Sequence, residues 1–214
     1  MIPRTIHQFW DSREPPAEVS DLMVSWRSLN PGWDYRLWCD RTTEELITAC
    51  FDERTLEAYR DCKFPAMRAD ISRYLVLYQF GGVYADSDLR CLKPLSSVID
   101  PNAAMFVFRG RIPVWRNDFM GAARRLPLMK TLIEQGIDNV INKSSDNLWK
   151  VTGPGMTTPL ITRTIESGEV LIQRFQFLDV RNVIIKFNNT LHYRSEGRHW
   201  AEAQKKESIY RSGP

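Results

Sequence analysis

Apolar residues follow two patterns along this chain: short runs typical of buried strands, and longer stretches with helical spacing. The short runs predict strands over residues 2–10, 35–38, 83–85, 104–108 and 183–187. The helical spacing predicts one helix that runs through Trp26, one that follows Thr42, and others over residues 65–80, 126–141 and 158–165. Because the two patterns alternate from end to end, they favour an α/β layer architecture over separate α and β halves.

The stretch over residues 65–80 is apolar almost all round, which predicts a central and largely buried helix. Pro65 suits its first position. Gly81 and Gly82 predict its end, because glycine adopts positive φ angles readily. Before the helix that follows Thr42, the pair Thr42 and Glu45 has the spacing of a capping box.

The composition is that of an ordinary globular domain, with 214 residues, 43% hydrophobic and 26% charged. We expect a single domain over residues 1–214, which could be part of a longer protein. A net charge of +3 is too small to indicate a nucleic-acid-binding groove. No stretch resembles a signal peptide or a membrane span, so we expect a soluble, cytoplasmic protein. The four cysteines lack metal-site spacing, which indicates free thiols.

The sharpest chemical feature is the pair Asp86 and Asp88, which follows the glycine turn and the short apolar strand 83–85. In an extended backbone, residues two apart point the same way. The two carboxylates would then offer hard oxygen ligands to Mn²⁺ or Mg²⁺. A cation held there can neutralise the charge that builds on a departing diphosphate. An Asp-x-Asp pair is common in exposed loops, but the buried strand before it favours a metal site.

Asp70 and Arg73 are charged residues in the otherwise apolar helix 65–80, three positions apart and therefore on one face. Buried charges need partners. The two side chains either form an internal ion pair, or they point into a ligand site where arginine binds phosphate and the carboxylate binds sugar hydroxyls.

Gln8, Phe9 and Trp10 fall at the predicted end of the first strand, which is the edge where open α/β sheets bind ligands. Stacking of an aromatic side chain on a nucleobase and simple core packing remain equally open there. Near the C-terminus, His192 is a candidate metal ligand.

Taken together, these sequence segments resemble the glycosyltransferase family defined by a DXD-containing sugar-binding region, which includes yeast initiating α-1,6-mannosyltransferases and bacterial capsule enzymes. Residues 2–10 and 30–38 resemble the opening strands of the family, and residues 68–74 and 81–88 resemble its central motifs. The series Asp70, Arg73, Asp86 and Asp88 within these central motifs is also similar to the glucosylating domain of large clostridial toxins. Beyond residue 90, Thr152-Gly153-Pro154 is similar to the family, whereas the late histidine, serine and tryptophan have altered spacing.

The resemblance implies a single-domain GT-A fold, a Rossmann-like mixed sheet flanked by helices, and retention of anomeric configuration. It places Gln8, Phe9 and Trp10 near the nucleotide, and Asp70 and Arg73 on the sugar and phosphates. It also places Asp86 near the ribose or sugar, and Asp88 as the principal ligand of the metal, with His192 as a further one.

We therefore expect a metal-dependent, retaining hexosyltransferase. Its donor would be a nucleotide-diphosphate sugar, with UDP favoured over GDP as the nucleotide. Its acceptor would be a hydroxyl group of a glycan or another molecule, and no nucleic-acid partner is expected. Two alternatives are a metal-dependent phosphohydrolase or nucleotidyltransferase that uses the same carboxylates, and a non-catalytic carbohydrate-binding module in which they hold Ca²⁺.

Overall fold

The computed structural model describes residues 1–110, 114–175, 180–186, 191 and 200–211. The strands in these ranges are β1 (Thr5–Phe9), β2 (Asp34–Trp38), β3 (Gly82–Ala85), β4 (Leu89–Cys91), β5 (Met105–Arg109), β6 (Trp115–Ala122), β7 (Ile172–Phe175) and β8 (Ile184–Lys186). The helices are α1 (Ala17–Leu29), α2 (Asp40–Cys50), α3 (Glu53–Asp61), α4 (Pro65–Phe80), α5 (Pro127–Ile141), α6 (Leu148–Val151), α7 (Pro154–Ser167) and α8 (Trp200–Ala203).

Six strands form a mixed sheet in the order β2-β1-β3-β6-β5-β7. Strand β1 is parallel to both β2 and β3. Strand β6 is antiparallel to its neighbours β3 and β5, and β7 is parallel to β5. Strands β4 and β8 form a separate antiparallel pair. The α/β class and the mixed sheet predicted from the sequence are confirmed.

The two faces of the sheet pack against two different hydrophobic clusters. Alternate residues point to opposite faces of a strand. Thus Tyr84 and Met120 join the larger cluster with helices α4 and α5, whereas Val83 and Phe119 join the smaller cluster with Trp26 of α1. Burial on both sides explains why the inner strands β3 and β5 have nearly continuous apolar runs.

Helix α4 has the bounds that the sequence predicts, and its position fixes the functional edge of the sheet. It begins at Pro65 and ends before Gly81, whose φ is 67°, and Gly82, whose φ is 106°. A Cβ atom on Gly82 would lie 2.5 Å from the carbonyl oxygen of Thr5, so glycine is required there by space as well as by conformation. The tight turn makes β3 run back along α4. The start of α4 therefore lies over the end of β3.

Other bounds differ from the predictions. The predicted capping box of Thr42 and Glu45 is wrong, because α2 begins at Asp40, directly after β2. Thr42 instead occupies the third helical position and accepts a hydrogen bond from the N–H of Cys39 at 2.9 Å. Helix α7 begins four residues earlier than predicted, at Pro154. The last predicted strand is found as β8, and its predicted final residue, Phe187, lies outside the described residues.

His7 is a buried structural residue. The indole N–H of Trp38 donates to its Nδ1 at 3.0 Å, so Nε2 carries the ring proton and donates to the carbonyl oxygen of Gly81 at 2.9 Å. Burial lowers the pKa of His7 to about 4. The neutral ring thus ties β1 to β2 and to the glycine turn.

The four cysteines are free thiols, as predicted, and only Cys50 among them is exposed. No helix among the described residues is both long enough and apolar enough to cross a bilayer.

Candidate active site

The ends of β1 and β3 and the start of β6 meet at one edge of the sheet, which we call the carboxylate edge because Asp70, Asp86, Asp88 and Asp118 lie there. The N–H of Asp86 donates to the carbonyl oxygen of Asp118 at 2.8 Å. The hydroxyl of Ser87 donates to the carbonyl oxygen of Phe9 at 2.6 Å. These two bonds join the segment after β3 to both neighbouring strands.

Arg73 of α4 connects two of the carboxylates. Its Nη1 lies 3.0 Å from Oδ1 of Asp70, and its Nη2 lies 2.7 Å from Oδ1 of Asp86. Nη1 also donates to the carbonyl oxygen of Asn117 at 2.8 Å, and the guanidinium lies over the ring of Tyr84. Arg73 is buried, and burial by itself disfavours its charge, but the carboxylates of Asp86 and Asp70 hold its pKa above the usual value. The internal ion pair that the sequence left open is therefore present.

Asp70 is held on both of its oxygens. The side-chain amide of Asn117 donates to Oδ1 at 2.9 Å, and the hydroxyl of Thr152 donates to Oδ2 at 2.9 Å. Burial raises the pKa of Asp70 to about 6, although Arg73 opposes this shift. Tyr74 completes the network by donating to the carbonyl oxygen of Thr152 at 2.6 Å. The carboxyl group is thereby fixed in orientation.

The Asp86-Ser87-Asp88 segment does not continue the extended strand, as the sequence argument assumed. Strand β3 ends at Ala85, and the N–H of Leu89 donates to the carbonyl oxygen of Asp86 at 3.0 Å, which closes a turn. The side chain of Asp86 is 25% exposed, whereas Asp88 is 4% exposed. The turn follows from the bonds that Asp86 and Ser87 make to the adjacent strands.

Residues at the start of β6 belong to this edge and were not predicted. The guanidinium of Arg116 donates through Nε and Nη2 to the carboxylate of Asp118. Asp118 is buried, while the side chain of Arg116 is 36% exposed. The pKa of Arg116 is raised, first by Asp118 and then also by Asp86 and Asp88. The polar run Arg116-Asn117-Asp118 inside an apolar stretch was the one available signal.

The three residues at the end of β1 differ in their surroundings. Gln8 is fully buried and donates from Nε2 to the carbonyl oxygen of Asp86 at 3.4 Å, while its Oε1 accepts from the hydroxyl of Tyr35. Phe9 is packed in the larger hydrophobic cluster. Trp10 is partly exposed beyond the strand end. Phe9 is therefore covered by the core, whereas part of the surface of Trp10 is open to a ligand.

The donor set at this edge suits a hard divalent cation, since the partly exposed Asp86 and the buried Asp88 both supply carboxylate oxygens. Within the described ranges, no group of three or more histidine, cysteine, aspartate or glutamate side chains forms a ready metal site. The predicted ligand His192 lies outside the described residues. The metal assignment therefore remains a proposal.

Residues 16–105 match the family described as a glycosyltransferase sugar-binding region containing a DXD motif. The matched segment includes Asp70, Arg73, Asp86 and Asp88. The resemblance to DXD-containing glycosyltransferases is confirmed. The match ends before β6, which explains why Asn117 and Asp118 lie beyond the most recognisable part of the chain.

Three curated fungal proteins are among the relatives of this DXD-containing chain. Inositol phosphoceramide mannosyltransferase 1 of Schizosaccharomyces pombe is 30% identical over 60% of this chain and 40% of its own length. A mannosyl phosphorylinositol ceramide synthase of Saccharomyces cerevisiae is 31% identical over 77% and 42%. The initiation-specific alpha-1,6-mannosyltransferase of S. pombe is 25% identical over 75% and 48%. The chain thus spans less than half the length of these relatives.

Solved structures agree on the fold. The PaToxG glycosyltransferase superposes with a TM-score of 0.67 at 18% identity, over 78% of this chain and 72% of that one. The UDP-bound glycosyltransferase domain of the YGT toxin superposes with a TM-score of 0.56 at 10% identity, over 81% and 79%. The GT-A fold predicted from the sequence is confirmed.

Proposed function

We propose that this chain is a metal-dependent glycosyltransferase domain that moves a hexose or deoxyhexose from a nucleotide-diphosphate sugar to a hydroxyl acceptor. The observation that carries the proposal is the linked set Asp70, Arg73 and Asp86, which lies beside Asp88 at the end of β3 within the family-matched segment. A carbohydrate-binding module or a phosphohydrolase does not account for the family match.

In this proposal, the protein side chains bind and orient the donor. Asp70 accepts hydrogen bonds from sugar hydroxyls, and its own bonds to Asn117 and Thr152 fix its direction. Arg73 keeps Asp70 and Asp86 at a fixed separation. For Arg73 to contact the phosphates, as the family resemblance implies, it would have to give up one of these buried partners, which is costly. We therefore propose positioning as its main role.

Asp86 and Asp88 would hold the divalent cation, with His192 proposed as a further ligand. When bound, Mn²⁺ or Mg²⁺ would supply Lewis-acid stabilisation of the departing diphosphate. Gln8 holds the Asp86 carbonyl, and Trp10 offers a flat apolar face for the base beyond the end of β1. The buried Phe9 would support this region from the core.

The donor and acceptor are proposed from chemistry and from the relatives. The fungal relatives are named as mannosyltransferases, which supports a hexose such as mannose. One structural neighbour was solved with UDP, so UDP stays the favoured nucleotide, with GDP as the alternative. The acceptor would be a hydroxyl of a glycan or of an inositol-containing lipid head group, because one of these relatives is named as an inositol phosphoceramide mannosyltransferase. We also propose that the anomeric configuration is retained, with the leaving phosphate assisting the incoming hydroxyl.

A thermal-shift panel of UDP-, GDP- and dTDP-sugars tests the proposal. A ligand that binds the folded state raises its melting temperature by mass action. We expect one donor class to stabilise the parent only when Mn²⁺ or Mg²⁺ is present. The shift should disappear in Asp88→Asn, which keeps the side-chain shape but lowers the ligand charge.

Asp21→Asn, on the exposed side of α1, is the matched control and should behave like the parent. A donor-hydrolysis assay then identifies the product. Release of free sugar with nucleoside diphosphate supports glycosyl transfer, whereas release of nucleoside monophosphate supports phosphoryl chemistry. Equal shifts in Asp88→Asn and the parent would show that the metal-site assignment is wrong.

A further inference from the structure

The two arginines at the carboxylate edge differ in their freedom to meet a ligand. Arg73 is 3% exposed, and both of its terminal nitrogens are engaged by Asp70, Asp86 and the Asn117 carbonyl. The side chain of Arg116 is 36% exposed, and its hydrogen bonds to described residues go to Asp118 alone. The Nε–H of Arg73 has no hydrogen-bond partner among the described residues, but it is buried, so of these two arginines Arg116 is the one that a bound anion can reach without breaking a buried ion pair.

Fold stability gives a weak reason for the pair of Arg116 and Asp118. Burying a carboxylate costs free energy that a partly exposed partner offsets only in part. Asp118 is nevertheless buried, at 4% exposed, directly beside the segment that holds Asp86. Asp118 accepts from Nε and Nη2 of Arg116, which leaves Nη1 without a partner among the described residues, and a guanidinium held on one side in this way can donate from its other side to phosphate oxygens.

The position of Arg116 relative to the other carboxylates agrees with such a role. The backbone carbonyl oxygen of its ion-pair partner Asp118 accepts a hydrogen bond from the Asp86 N–H at 2.8 Å. The start of β6 is therefore fixed against the end of β3. Asp86 and Asp88 also act electrostatically on the Arg116 guanidinium. A cation bound by these carboxylates and an anion bound by Arg116 would thus be neighbours.

We propose that Arg116 binds the diphosphate group of the nucleotide-sugar donor, and that Asp118 positions it. This inference rests on the proposed function, to which it adds a phosphate-binding residue supplied by β6. A planar guanidinium can donate two parallel hydrogen bonds to phosphate oxygens. It would also stabilise the negative charge that develops on the diphosphate as the sugar departs.

The test is calorimetric binding of UDP, UMP, GDP and GMP, each with Mn²⁺, to the parent, Arg116→Gln and Arg116→Lys. We expect Arg116→Gln to weaken binding of the preferred diphosphate at least tenfold and binding of the matching monophosphate less than threefold. Arg116→Lys should restore part of the loss, because it keeps the charge but not the bidentate geometry. Arg41→Gln removes an exposed Arg–Glu pair on α2 and is the matched control, expected to bind like the parent.

Three results would overturn the inference. Unchanged diphosphate affinity in a folded Arg116→Gln would show that the side chain does not contact the ligand. Equal losses for monophosphate and diphosphate, accompanied by a lowered melting temperature that Arg116→Lys also shows, would reduce the pair to a structural role. If the parent itself bound no nucleotide with Mn²⁺ or Mg²⁺, the proposed function would fail together with the inference. The first two results, in contrast, overturn the inference and leave the proposed function in place.

Discussion

The hydroxyl group of Thr152 donates a hydrogen bond to Oδ2 of Asp70 at 2.9 Å, although the two residues are 82 positions apart. Thr152 lies between α6 and α7 and is fully buried. Through this bond, a residue from the second half of the chain fixes the carboxylate that we propose for the donor sugar. This bond gives a structural reason for the similarity of the segment Thr152-Gly153-Pro154 to the family.

Replacing Thr152 by valine should therefore impair both stability and turnover. The change keeps the side-chain shape but leaves a buried carboxylate oxygen without its donor, which costs about 1–3 kcal/mol. We expect a lower melting temperature and a several-fold lower rate of sugar transfer. Thr157→Val is the matched control, because the buried hydroxyl of Thr157 makes no hydrogen bond to described residues, so this change should be neutral or stabilising. Equal effects of both changes would contradict the proposed role of Thr152.

Asp70→Asn should separate sugar transfer from nucleotide binding. The amide keeps the size of the side chain but cannot pair as an anion with Arg73 or accept hydrogen bonds on both arms. We expect transfer to fall at least tenfold while the affinity for nucleoside diphosphate changes less than threefold, measured by steady-state kinetics and calorimetry. Since burial raises the pKa of Asp70 to about 6, transfer by the parent should also fall as the pH is lowered through 6. Loss of nucleotide affinity alone would place Asp70 on the phosphates instead.

Trp10 should contribute to binding of the base. Stacking on an aromatic side chain is worth about 1–3 kcal/mol per base, so Trp10→Ala should weaken nucleotide binding roughly tenfold or more. Trp10→Phe, with a smaller face, should be intermediate. Trp33→Ala is the control, because Trp33 precedes β2, which is parallel to β1, and therefore lies at the opposite end of the strands from Trp10. The measurement is titration of UDP and GDP with Mn²⁺; equal affinities in three folded proteins would return Trp10 to a packing role.

His7 should make the fold sensitive to acid. Its pKa in the folded protein is about 4, below the usual 6.5, so the unfolded chain binds a proton first as the pH falls. Its contribution to stability is complete above pH 6.5 and is lost between about 6.5 and 4. Asp70, with a raised pKa, acts in the opposite direction over pH 6 to 4. Hence, between pH 7.5 and 5, the free energy of unfolding should fall less in His7→Gln than in the parent, by an amount on the order of 1–2 kcal/mol, and denaturant unfolding at both pH values measures the difference.

The local part of the fold was predictable. Helix α4, the glycine turn and β3 follow one another without a break, and each has a signal within its own residues, from Pro65 to Gly82. Asp86 and Asp88 were found because they directly follow that unit. The turn at Asp86 was not foreseen, because it depends on bonds to Asp118 and Phe9 from other strands.

Strand β6 was missed for a related reason. Its sequence mixes Arg116, Asn117 and Asp118 with apolar residues, so it lacks the apolar run of a buried strand. The strand exists because it pairs with both β3 and β5, and because Gly121 makes room for the ring of Phe106, which would lie 2.3 Å from a Cβ atom there. These determinants lie far from one another in sequence.

The insertion of β6 between β3 and β5 has a consequence for how the protein can fold and be divided. Residues 16–105, the family-matched segment, contain neither β1 nor β6, so both sides of β3 would be left unpaired, and such exposed strand edges promote association with other chains. The carboxylate edge likewise needs Asn117 and Thr152, so loops of more than 40 residues must close before it forms. High contact order of this kind slows folding. We therefore expect the recognisable segment alone to be neither stable nor active, and any minimal catalytic unit to extend at least through α7.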